Sequence, residues 1–177
     1  FAIDWESDYS LHNWMTELDL ICADPLSIGM IGSLGFFSFS IGSIMFTNTI
    51  DTYGRKKVLI VSSLVTPLGL LFMVFSKNLI SIYVTIFIIG LSYNTRCSTS
   101  YLYWTEFLMH DDRMKIGQYN FMFSGLSFQF AAIWFYLVQD QSQYFAFNII
   151  ILMISIIWLI FAVPESPIWL FEKRRFA

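Results

Sequence analysis

The chain is 177 residues long, 56% hydrophobic, 19% aromatic and only 13% charged, with a formal net charge of −3. A soluble domain of this composition would have to hide nearly every segment on all sides, so a multi-pass, all-α membrane protein is expected. The few charges are gathered in short clusters, which excludes a nucleic-acid footprint, and two cysteines exclude a disulfide framework within the chain.

Residues 1–24 hold Asp4, Glu6, Asp8, Glu17, Asp19 and Asp24 and no Lys or Arg. They are expected to form an outer segment with at most one short amphipathic helix, in which Trp5, Leu11, Trp14 and Leu18 could cover the membrane surface. His12 has no second ligand nearby and is expected at the surface. Cys22 is open to pairing outside this chain or to remaining a free thiol.

The first span is predicted over residues 25–50, with Pro25 suited to a first helical turn. Gly29, Gly32, Gly35, Ser38 and Gly42 recur along it, and small residues let helices approach closely in lipid. Asp51 to Lys57 is predicted as a tight inner loop. The second span is predicted over residues 58–75, with Pro67 and Gly69 inside it. Residues 76–78 form an outer turn.

The third span, residues 79–105, begins aliphatic and turns polar through Ser92, Asn94, Thr95, Arg96, Ser98, Thr99 and Ser100. Arg96 falls about 14 Å from the inner end at 1.5 Å per residue. An ionisable group at such depth is costly and normally faces the bundle interior or water. Cys97 is expected as a small packing residue. After a second inner loop over residues 106–115, the fourth span covers residues 116–138 and carries Gln118, Asn120, Ser124 and Gln129. An outer turn over 139–143 leads to the aliphatic fifth span, residues 144–163, and residues 164–177 form a polar inner tail.

Each span suffices for a hydrocarbon core that needs about 20 apolar residues. With five spans, Arg55, Lys56, Lys57, Arg113, Lys115, Lys173, Arg174 and Arg175 fall on one side and only Lys77 on the other. The excess of cations marks the cytoplasmic side or its organellar equivalent. The N-terminus is therefore expected outside and the C-terminus inside, in a plasma membrane or an organelle inner membrane.

No nucleophile motif, zinc motif, phosphate-cradling glycine loop or paired intramembrane carboxylate occurs. An enzyme, a metal site and a cofactor are not expected. Instead, Asp51, Arg55, Glu106, Arg113 and Glu165 stand at the inner ends of spans, where opposite charges would pair when the ends meet and part when helices rock. Ordinary interfacial anchoring explains the same spacing, since exposed pairs contribute only about 0–1 kcal/mol.

Asp51-x-x-Gly54-Arg55-Lys56-Lys57-Val58-Leu59 resembles the inner-loop signature of the major facilitator superfamily. Glu17-Leu-Asp-Leu-Ile-Cys22 resembles the E-W-D-L-V-C element of its organic cation/anion transporter branch, as does Thr105-Glu106 with Arg113 seven residues on. Pro164-Glu-Ser-Pro-x-Trp-Leu170 is similar to the P-E-S-P-R-W-L element of sugar and organic-ion porters. The four elements occur in the family's order over essentially the whole chain. The resemblance implies that the five spans match helices two to six of a twelve-helix fold, without its first helix or second half. It also implies an inner-gate network of Asp51, Gly54, Arg55, Lys56, Glu106, Arg113 and Glu165. The chain departs from the pattern at Thr47, where glycine is usual, at Thr52, where a cation is usual, and at Ile168, where arginine is usual; the last two weaken the implied latch.

In this fold the substrate lies near the midplane between two six-helix halves that rock about it. Asn94, Arg96, Asn120 and Gln129 are the candidate cavity residues, and a lone Arg96 would favour an anionic substrate or bond to neighbouring helices. Two functions follow as expectations. One is part of a secondary transporter of a small organic ion or sugar-like solute, completed by the missing transporter helices. The other is a transport-inactive, transporter-derived subunit of a large membrane complex, packed against other membrane subunits. Both place the chain in a lipid bilayer.

Overall fold

A computed structural model describes residues 10, 12–18, 20–108 and 110–173. Residues 1–9, 11 and 19 of the predicted outer segment, including Trp5, Leu11 and Asp19, and the terminal Arg174 and Arg175 lie outside the described residues. The rest is helical: α1 (Trp14–Glu17), a 3-10 turn (Leu20–Cys22), α2 (Pro25–Met45), α3 (Thr47–Tyr53), α4 (Arg55–Phe75), α5 (Leu79–Phe107), α6 (His110–Leu137), α7 (Gln141–Ala162) and α8 (Pro167–Glu172). No strand occurs among the described residues; an isolated parallel bridge joins His12 to Asp140.

The distribution of side chains is that of a membrane protein. Phe36, Ile44, Phe121 and Phe161 are at least 80% exposed, whereas Ser38, Ser62, Thr85, Ser92 and Thr99 are buried. In lipid, exposed apolar side chains cost nothing, and small residues at helix contacts let backbones approach. The buried hydroxyls are satisfied locally: Thr85 donates to the Ser81 carbonyl at 2.8 Å and Thr99 to the Thr95 carbonyl at 2.6 Å.

α2, α4, α5 and α7 are each long and apolar enough to cross a bilayer. α6, predicted as the fourth span, has 28 residues but falls short of the others in apolar content. It also begins six residues before the predicted span, so residues 110–115 of the predicted second inner loop are helical, as are Glu106 and Phe107 at the end of α5. No Gly or Pro lies between Met109 and Ile116 to stop it.

The core is the contact of α5 with α2 and α4, with α7 behind α4. A Cβ on Gly90 would lie 2.9 Å from the Gly35 carbonyl and against Ser38, and one on Gly42 would lie 2.7 Å from the Leu91 carbonyl. Gly35, Ser38 and Gly42 therefore belong to the α2–α5 crossing. Gly29 and Gly32 do not, since nothing lies within 4 Å of a Cβ at either position. α4 continues through Pro67.

The predicted tight loop over Asp51–Lys57 is corrected. Asp51 and Tyr53 close α3, Arg55 opens α4, and Gly54 alone separates them. Gly54 has φ of +100° and ψ of 150°, a conformation open in practice only to glycine. The first span, predicted as continuous over residues 25–50, is interrupted at Phe46, ahead of its predicted end.

The two ends of the bundle are distinguishable. At one end lie Gly54, the α5–α6 junction and the α7–α8 junction, with Arg55, Lys56, Lys57 and Lys173. At the other, the His12 N–H donates to the Gln139 carbonyl and the Gln141 N–H donates to the His12 carbonyl, both at 3.0 Å. The segment around His12 is thus stitched to the α6–α7 turn, so the two lie at the same end of the bundle. His12 itself is exposed.

Candidate functional site

The basic end holds a buried charge cluster. Arg55 occupies the first position of α4 and Glu106 the last turn of α5. Each stands at the end of its helix where the backbone dipole disfavours its charge. Their pairing offsets both penalties: Arg55 Nε donates to Glu106 Oε1 at 2.9 Å, with the side chains 8% and 10% exposed. Asp51, one turn back on α3, approaches Arg55 Nη2 at 3.1 Å but is 65% exposed. Arg55 Nη1 is buried without a hydrogen-bond partner among the described residues.

The α7–α8 junction closes the cluster from the side. Glu165 Oε1 accepts the Lys56 backbone N–H at 2.8 Å, placing a carboxylate at the N-terminus of α4, where the dipole favours it. Ser166 donates its hydroxyl to Glu106 Oε2. It also caps α8 by accepting the Trp169 N–H at 3.3 Å. The Trp169 ring N–H donates to the Asp51 carbonyl at 3.1 Å, and Tyr103 donates to the Pro164 carbonyl. Lys56 Nζ donates to the Ile160 carbonyl at 2.9 Å.

The structure thus gathers Asp51, Gly54, Arg55, Lys56, Glu106 and Glu165. It does not bring Arg113 to them. Arg113 is exposed near the start of α6 and makes no ion pair with the cluster among the described residues. Lys115, two residues along, pairs with Asp112 at 2.7 Å, and that hydrogen bond raises its ammonium above the ordinary lysine range. Ser166, Trp169 and Tyr103 were missed as members. Ser166 and Trp169 stand in the quoted Pro-Glu-Ser-Pro-x-Trp-Leu element, so the signal was present for those two.

A cleft of about 300 Å³ opens between α4, α5, α6 and α7. Arg96 and Asn120 line it with Ser63, Ser100, Trp104 and Trp158. Arg96 Nη1 donates to Thr66 Oγ1 at 3.4 Å, a long bond, and the guanidinium lies 5.2 Å from the Tyr93 ring centroid. A cation over an aromatic face is held electrostatically, leaving donors for a ligand. Asn94 is buried on α5, and Gln129 is exposed on α6; neither lines this cleft. Cys97 is exposed at the cleft and is not the packing residue expected; Cys22 is also exposed and free. No metal-ligand group occurs among the described residues.

Residues 6–177 match the family model described as "Sugar (and other) transporter". The chain is 26% identical over 176 residues to "Solute carrier family 22 member 4" of Mus musculus, a match covering 98% of this chain and 32% of that protein. It is 25% identical over 177 residues to "Organic cation/carnitine transporter 2" of Homo sapiens, covering 97% and 31%. The protein of the same name from Arabidopsis thaliana is 29% identical over 175 residues, covering 97% and 33%. The chain therefore spans about a third of the length of these curated relatives.

Proposed function

The chain belongs to the sugar (and other) transporter family, on the organic cation branch of the major facilitator superfamily, and from that premise we propose that it forms part of a secondary transporter moving a small organic ion by alternating access. The observation that carries the proposal is the Arg55–Glu106 pair, buried between helix ends that each disfavour their own charge. Such a pair is stable while the ends of α4 and α5 meet, and Ser166 and Glu165 tie the α8 end to both. Asp51, Gly54, Arg55, Lys56, Glu106 and Glu165 act as the inner gate, with the basic end on the cytoplasmic or matrix-equivalent side. Arg113 stays a peripheral member until the helices move.

The Arg96–Asn120 cleft supports an ion carrying a carboxylate. Two of the relatives are named for organic cations and carnitine, and a substrate with both charges would set its carboxylate on Arg96. The test is uptake by vesicles containing the complete protein, with an organic cation, a zwitterion and an anion as probes. Arg96→Gln is expected to reduce zwitterion uptake at least about tenfold, as for a lost charge-assisted bond, and to spare the pure cation. Equal loss of both would remove Arg96 from the substrate site.

A second function, that of a transport-inactive subunit, is favoured by α6, most of whose residues from 113 to 130 are exposed. A helix with so little cover within the chain offers area to partner helices. Copurification with unrelated membrane proteins, together with no uptake of any probe, would select it.

A further inference from the structure

A second cavity, separate from the Arg96 cleft, lies between α3, α4 and α5, with Phe46 ahead of α3 at its edge. Its volume is about 600 Å³, within the roughly 300–1,000 Å³ typical of ligand sites. Val58, Val61, Val65, Ile88 and Leu91 supply its walls. The hydroxyls among them are spent on their own helices. Ser62 donates to the Leu59 carbonyl at 3.2 Å, Ser92 to Ile89 at 2.9 Å and Thr95 to Leu91 at 3.1 Å. The interior therefore offers hydrocarbon contact and no free donor to a polar solute.

The mouth differs. Lys57, Tyr53 and Thr49 stand there, and Lys57 is exposed with no ion-pair or hydrogen-bond partner among the described residues. The two cations before it are committed: Arg55 to Glu106 and Lys56 to the Ile160 carbonyl. From Lys57 to Val65 the groove follows α4 for about 12 Å at 1.5 Å per residue. It thus runs along the helices, and so along the acyl chains of a surrounding bilayer, from the basic end inward.

We propose that this groove holds one acyl chain of an anionic membrane phospholipid, with the lipid phosphate seated on Lys57 and the Tyr53 hydroxyl. A free ammonium at the height of an anionic leaflet, above a dry apolar slot, matches the two halves of that molecule. The site does not depend on substrate transport, and it persists whether or not the chain moves a solute.

The test places a bimane label on Val61→Cys in the complete protein, with Cys22→Ser and Cys97→Ser as background. The protein is reconstituted with brominated phosphatidylglycerol or brominated phosphatidylcholine at equal mole fraction. Quenching titrations at Val61 should show about a fivefold preference for the anionic lipid, the size expected of one basic residue near a charged leaflet. Lys57→Gln should abolish the preference and Lys57→Arg should keep it, while a label at Val84→Cys, outside the groove, should show none. Equal quenching by both lipids at Val61, or a preference that survives Lys57→Gln, would overturn the proposal. So would the absence of quenching by either lipid, which would show protein filling the groove.

Discussion

Arg55 and Glu106 carry the cluster because neither is well placed alone. Removing one charge from a buried pair strands the other, at a cost of about 3–5 kcal/mol. Glu106→Gln is therefore expected to lower stability by that amount in denaturation of the detergent-solubilised protein. Asp51→Asn, at a side chain 65% exposed, should cost no more than about 1 kcal/mol. A matching loss in the two variants would mean that burial does not set the strength of these contacts. Gly54→Ala tests the backbone. The positive φ costs a side chain about 1–3 kcal/mol, and the new Cβ would lie 3.1 Å from Glu165 Oε2. A thermal midpoint unchanged by Gly54→Ala would contradict that conformation. Most of these residues were legible in the sequence, since charges at span ends in a family motif name themselves. Ser166 stands in the family element too, but its role was not legible, because its bond to Glu106 exists only once α5 and α8 meet. Arg113 is the converse case: its place in the family pattern is legible, yet it makes no ion pair with the cluster among the described residues.

α2 and α5 cross on small residues, and the glycines divide sharply. Gly90→Ala places a methyl against the Gly35 carbonyl and Ser38, and overpacking of this kind costs about 1–3 kcal/mol. Gly29→Ala meets nothing and should be neutral or stabilise by up to about 1 kcal/mol through helix propensity. Thermal midpoints of the two variants should thus move in opposite directions, or only Gly90→Ala should fall. The repeat of small residues was visible in the sequence, but its phase was not, because spacing cannot say which glycines face a neighbour. The helix starts were misjudged in a consistent way. Charged residues were assigned to loops, whereas Arg55–Lys57 open α4 and the segment after Met109 opens α6. Polarity marks the edge of the hydrocarbon, and helices continue beyond it into water.

The molecule taken whole has one basic end and one end stitched by His12 and Gln139, with small polar residues buried at the helix contacts and most of its Phe exposed. That inversion is what composition alone foretold, and the family match agrees with it. What composition could not foretell is the coupling of three elements through one carboxylate. Glu106 accepts from Arg55 on α4 and from Ser166 ahead of α8, so α4, α5 and α8 should part from one another when it is neutralised. The direct measurement is a spin-label distance between Tyr53→Cys and Phe171→Cys, both exposed positions, in the complete protein lacking Cys22 and Cys97. With Glu106 present a single short distance population should dominate; Glu106→Gln should add a longer one. A distribution unaltered by Glu106→Gln in a folded protein would show that the charge cluster holds nothing shut.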